Sequence, residues 1–168
     1  GAGVDYLTLR PRLSSTVTLS QAYDTVVNGL VQHVGAVTEQ YKTTTTNSSL
    51  AFNIYTKWKL RRITMKLAGQ YGQNNYSFTM LGGYAVKSIT DSAKGFEDYA
   101  NVRSLAIWGE IHTNGTKWRT GVFGAFSKNL GVGETVTGPY YARGTNIDYL
   151  WRISPPLEYN VQRLRFAG

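Results

Sequence analysis

The side chains best suited to chemistry in this sequence are cationic. Eighteen Lys and Arg stand against ten Asp and Glu, giving a formal net charge of +8. Arg10, Arg12, Lys57, Lys59, Lys66, Arg119, Arg152, Arg163 and Arg165 are assigned to the polar faces of segments that alternate polar with apolar residues. On the wall of a water-filled passage, such cations favour anions at its constrictions. On the outer face of a soluble sheet the same residues are solvated charge. A third reading comes from Tyr55-Thr56-Lys57-Trp58-Lys59, where aromatic and basic residues interleave as in single-strand nucleic-acid binders. Alternation puts Trp58 on the face opposite both lysines, so stacking and phosphate contact do not share a surface. Nucleic acid is therefore not an expected partner.

Three tryptophans form a second set. Trp58 precedes Arg61, Trp118 follows Gly115 and Trp151 precedes Pro155, each on an apolar position near a short turn. In a membrane barrel they make an interfacial girdle, where an amphipathic ring is best solvated. In a soluble sandwich they would be core.

Enzyme chemistry is not expected. His33 and His112 are far apart in sequence, and no HExxH, GxSxG or GxxxxGK[ST] pattern occurs. Without cysteine there is no disulfide framework and no thiolate metal site. Asp91, Glu97 and Asp98 share one loop, but their spacing matches no defined calcium loop. No metal or cofactor is expected.

The elements that must position these residues read as strands. From Leu50 to Leu60, Leu50, Phe52, Ile54, Trp58 and Leu60 alternate with Asn53, Tyr55, Lys57 and Lys59. After Arg61-Arg62, Ile63, Met65, Leu67, Gly69 and Tyr71 alternate with Thr64, Lys66, Ala68 and Gln70. Two such runs about a basic turn predict a hairpin, each arm long enough for the ~9–11 residues of a tilted bilayer span. A second hairpin is predicted around Asn114-Gly115, the pair suited to a turn with positive φ at both positions. Its arms are Asn101–Thr113 and Lys117–Asn129. A third is predicted to join 147–154 to 159–166 across Pro155-Pro156. A further strand over Val4–Leu13 sets Leu7, Leu9 and Leu13 against Tyr6, Thr8, Arg10 and Arg12. Phe78–Ile89 is expected to be partly extended.

Between these elements short turns alternate with long connections, as in outer-membrane barrels. In the longest, 14–48, the spacing of Leu19, Ala22, Tyr23, Val26, Val27, Leu30 and Val34 predicts a helix within Val17–Val34. The competing reading is a hairpin turning at Asn28-Gly29. A helix here could enter the barrel lumen or pack against a neighbouring subunit.

Composition agrees with this outline. Aromatic residues make up 13 %, and charged residues only 17 % against the roughly 25 % of soluble domains. No run of about 18 apolar residues is present, which excludes a transmembrane helix but not transmembrane strands. The opening residues, Gly1-Ala2-Gly3-Val4, do not read as a signal peptide.

Three stretches carry a family resemblance: Gly69-Gln70-Tyr71-Gly72-Gln73-Asn74 leading to Met80-Leu81-Gly82-Gly83-Tyr84; Gly121-Val122-Phe123-Gly124 with Ser127-Lys128-Asn129-Leu130-Gly131; and Tyr141-Ala142-Arg143-Gly144-Thr145-Asn146-Ile147-Asp148-Tyr149. From about Leu50 onward the chain resembles porin-like outer-membrane proteins of the Bacteroidota. The resemblance implies a larger bacterial outer-membrane barrel, with a homotrimer among its expected assemblies, and a diffusion role. The seven strands read here are an odd number where bacterial single-chain barrels use even ones. Phe166-Ala167-Gly168 also lacks a terminal aromatic, so a piece of a longer chain is expected.

The resulting expectation is an all-β protein: an antiparallel up-and-down transmembrane β-barrel, or a large segment of one, in one domain over 1–168 with a loop insertion at 14–48. Its expected partners are a lipid bilayer and small polar or anionic solutes, in a bacterial outer membrane. The alternative is a soluble β-barrel or sandwich that binds a ligand or nucleic acid.

Overall fold

Residues alternating in character every second position make a strand with one greasy and one wet face, and β-branched and aromatic side chains suit that pleated surface. The computed structural model describes residues 1–76, 81–161 and 164–167. It is all-β with antiparallel sheets. The strands are β1 (Ala2–Leu9), β2 (Ser14–Ser20), β3 (Tyr23–Val27), β4 (Leu30–Val34), β5 (Val37–Lys42), β6 (Asn47–Lys59) and β7 (Ile63–Gln73). They continue with β8 (Gly82–Asp91), β9 (Phe96–Thr113), β10 (Trp118–Val132), β11 (Tyr140–Arg143), β12 (Tyr149–Ser154), β13 (Leu157–Val161) and β14 (Leu164–Ala167). Phe78–Met80, expected to be extended, lie outside the described residues.

The main sheet is a meander in which neighbours in space are β1, β6, β7, β9, β10, then β12 and β13 in one lane, then β14. Above β7, β8 continues its line along the upper part of β9, and β11 pairs with β8. The described sheet is open: β1 pairs only with β6 and β14 only with β13, so the expected closed wall is not seen among the described residues.

The first hairpin forms as expected, with Leu60 N–H donating to Ile63 O at 2.9 Å beside the basic pair. The second also forms, but neither Asn114 nor Gly115 has positive φ. Asn114 instead ties two turns together. Its Nδ2 donates to Leu60 O at 2.8 Å and its Oδ1 accepts from Thr64 Oγ1 at 2.7 Å.

The expected helix over Val17–Val34 does not form. β2 pairs with β5 and β3 with β4 in one nearly continuous register, from Ser14↔Lys42 to Val27↔Leu30. The turn is Asn28-Gly29, with φ of 53° and 76°, the mirror-image turn whose twist matches a hairpin. A run rich in Val and Thr is stiff at χ1 and gains little from a helix, so the turn chemistry decides. Most of the expected 14–48 insertion is thus a long exposed hairpin, Ser14–Lys42, anchored at its base where Ser15 Oγ donates to Lys94 O, while Asn47 and Ser48 already belong to β6.

The third expected hairpin is also corrected. Pro155-Pro156 is an interruption within one lane: Phe123↔Ser154 and Thr120↔Leu157 keep the same register on either side of it. Proline has no N–H to donate, so the ladder lapses without reversing. The reversal comes later, where Val161 pairs with Leu164. In β1 the faces are the reverse of the expectation. Val4 and Tyr6 sit across from Phe52 and Leu50, while Leu7 and Leu9 sit across from Ser49 and Asn47.

The buried apolar side chains are few. Among the described residues they are Ala51 and, towards the long-loop end, Leu81, Ala85, Val86, Ala100 and Val102. The apolar face of the meander is different: Phe52 is 51 % exposed, Ile54 64 %, Leu67 46 % and Trp151 66 %. No second layer covers that face among the described residues.

Candidate functional site

Strand register sets heights on this sheet. The midpoints of the turns β6–β7, β9–β10 and β13–β14 descend the ladder steadily, by about one residue per lane crossed. With strands ~4.8 Å apart and ~3.3 Å of rise per residue, turns sharing one plane imply a strand tilt of about 35°. Membrane barrels tilt by roughly 35–45°.

Measured against a plane drawn through these three turns, the exposed face sorts into bands. Trp58, Trp118 and Tyr159 fall within about 3 Å of one level beside the short turns. Trp118 and Tyr159 also touch, with ring centroids 4.3 Å apart. Tyr6, Tyr71, Phe126 and Trp151 fall near a second level about 20 Å higher. Aliphatic Ile54, Leu67, Ile111, Val122 and Leu157 lie between, each at least 41 % exposed. The three tryptophans expected in one girdle are thus divided. Trp151 lies at the far level because Pro155-Pro156 is not a turn.

The opposite face carries the charge. Lys57 pairs across the sheet with Lys66, and Lys66 with Glu110. One rung away, Lys59 pairs with Thr64 and Thr64 with His112. A cavity of about 280 Å³ takes lining from five adjacent lanes here. Four cations, Lys57, Lys59, Lys66 and Arg119, share its wall with two carboxylates, Glu110 and Glu158. Lys66 Nζ lies 3.0 Å from Glu110 Oε2, and His112 Nδ1 lies 2.7 Å from Glu110 Oε1. Arg119 reaches Glu158 only at 3.8 Å. Like charges facing each other across a ladder repel, and Glu110 relieves that repulsion for Lys66. Lys57 and Lys59 form no ion pair among the described residues. The cluster can attract an anion and hold its water-facing side open.

No known protein family, curated protein or solved structure matches this chain.

The remaining expected lining residues are scattered. Arg152 shares the polar face and donates from Nε to Ser154 Oγ at 2.9 Å. Arg12 is at the long-loop end, ion-paired to Glu97 at 3.1 Å, and Arg10 donates there to the carbonyls of Arg12 and Leu13. Arg165 is the β14 partner of Asn160, and Arg163 lies outside the described residues. The acidic loop residues have structural partners: Asp91 Oδ1 accepts from the amides of Ala93 and Lys94, Glu97 from Tyr99 Oη and Asp98 from the Tyr99 amide. Sequence reasoning omitted Glu110, His112, Asn114 and Glu158 from the site. Parity already put Glu110 on the polar face; the missing signal was cross-strand register.

Proposed function

We propose that this sheet is part of the wall of an outer-membrane diffusion channel that favours small anionic solutes. The observation that carries the reading is the pair of aromatic levels about 20 Å apart with an exposed aliphatic band between them, close to the ~25 Å apolar band of outer-membrane barrels. Water does not favour such a surface, whereas hydrocarbon with interfacial rings at each edge does. The resemblance to Bacteroidota porin-like proteins points the same way. The charged face then lines water, with Lys57, Lys59, Lys66 and Arg119 just inside the short-turn mouth. In lipid, an open sheet edge is prohibitive. The proposal therefore includes strands beyond the described sheet pairing with β1 and β14.

Planar-bilayer conductance under a salt gradient tests the proposal. The reading expects anion-selective pores and, in Lys57→Glu/Lys59→Glu/Lys66→Glu, a reversal potential shifted towards cations. A pore whose selectivity ignores these changes excludes the lysines from its lining, and absence of any conductance contradicts the channel itself.

A further inference from the structure

Along β6, β7 and β9 the polar face changes character one step away from the charged cluster. Lys57, Lys66 and Glu110 stand in one row across these strands, and the next row from the short turns is Tyr55, Ala68 and Trp108. Beyond it come Asn53, Gln70 and Ala106. At ~3.3 Å of rise per residue, successive rows on one face are ~6.6 Å apart. Two large aromatic side chains, both exposed, thus stand on the face that carries the charge. They lie one and two rows from Lys57 and Lys59, which form no ion pair among the described residues. Neither belongs to the aromatic levels of the opposite face.

A cavity of about 260 Å³ has Tyr55 and Trp108 in its lining, together with the small residues Ala68 and Ala106. That volume is below the roughly 300–1,000 Å³ of sites that enclose drug-sized ligands, so it suits a single ring. Each aromatic side chain is supported on the side away from Ala68. The Tyr55 ring lies against Gly1, where a Cβ would come within 2.6 Å of its Cζ. Trp108 leans on Phe123 of β10, with ring centroids 6.0 Å apart. Strands two lanes apart are separated by ~9.6 Å, and aromatic pairs favour centroids ~4.5–7 Å apart. A ring seated over Ala68 can therefore engage both.

We infer that this cavity binds an aromatic carboxylate. A flat ring over Ala68 gains apolar contact and stacking from Tyr55 and Trp108. Ala68 and Ala106 offer no side-chain hydrogen bond to a sugar hydroxyl, which favours a bare ring over a saccharide. One row away, Lys57 supplies an ammonium with no competing carboxylate of its own. A carboxylate joined to the ring by a short linker meets it in a charge-assisted bond. Glu110 shares that row but is already held by Lys66 and His112. The inference deepens the channel reading, on which it rests for the route the solute takes, by naming the class of anion that the wall retains.

Titration calorimetry of the full chain in detergent micelles tests it, with protein-free micelles as the blank. The probes are 3-phenylpropionate, its neutral amide 3-phenylpropanamide, and glucuronate, an anion without an aromatic ring. Saturable binding of 3-phenylpropionate is expected, with the amide and glucuronate each about tenfold weaker or more. Trp108→Ala and, separately, Lys57→Gln/Lys59→Gln should each weaken 3-phenylpropionate about tenfold. Trp151→Ala, on the opposite face, should leave binding unchanged. The inference is overturned if 3-phenylpropionate does not bind saturably, or if the amide or glucuronate binds as well. It is also overturned if Trp108→Ala and the lysine variant both bind like the parent, or if Trp151→Ala weakens binding as much as they do. Calorimetry needs no conduction, so the two readings fail separately. A chain that conducts anions yet does not bind 3-phenylpropionate refutes this inference and leaves the channel standing.

Discussion

At the scale of single residues, the charged cluster near the short turns is a balance of charges. Glu110 accepts from both Lys66 and His112, so it cancels charge that would otherwise face the water. Glu110→Gln should therefore increase anion preference in reversal-potential measurements, opposite in sign to the lysine changes. Asn114 acts on stability instead. Asn114→Ala removes both side-chain bridges between neighbouring turns and should cost about 1–3 kcal/mol, read as a shift in thermal unfolding in detergent. At the long-loop end, burial and the bond to Glu97 push Tyr99 up to about 12. The unfolded chain ionises this phenol near its ordinary 10.0. The associated stability is whole below pH 10 and is lost as pH climbs towards 12, a loss that Tyr99→Phe should not show. The lysines were legible because each sits on the polar position of a clean alternation. Their partners were not, because a pairing such as Lys66↔Glu110 depends on turn lengths that alternation leaves open.

At the scale of elements, the β6–β7 and β9–β10 hairpins could be read directly, since each has two alternating arms about a polar turn. Two other elements misled for physical reasons. Val17–Val34 contains apolar residues at helical spacing, but they equally fit two strands, and only Asn28-Gly29 separates the readings. Pro155-Pro156 resembles a turn in composition, yet a prolyl pair can sit within a lane as a gap in hydrogen bonding. Among the described residues the 14–42 hairpin meets the main sheet at its base, so its tip should respond alone. Gly29→Ala puts a Cβ on a residue at φ 76° and should cost about 1 kcal/mol there. Hydrogen exchange of β3 and β4 amides should quicken severalfold while β6, β7, β9 and β10 stay unchanged.

At the scale of the whole molecule, the sheet keeps its apolar residues on an uncovered face and buries few of them. Hydrophobic burial supplies most folding stability in water, and on the proposed reading hydrocarbon supplies the apolar contact that this face lacks among the described residues. The alternation revealed this two-sided character from the start. The staggered turns, the tilt and the division of aromatic residues into two levels needed the register of every lane. Nitroxide labels placed singly at Phe52, Asn53, Ile54, Tyr55, Trp58 and Lys59 in lipid vesicles test the assignment of faces most directly. Collisions with oxygen should dominate at Phe52, Ile54 and Trp58, and collisions with a water-soluble nickel chelate at Asn53, Tyr55 and Lys59. Labels at Phe52, Ile54 and Trp58 that meet neither reagent, or that meet the chelate as readily as their neighbours do, would contradict it.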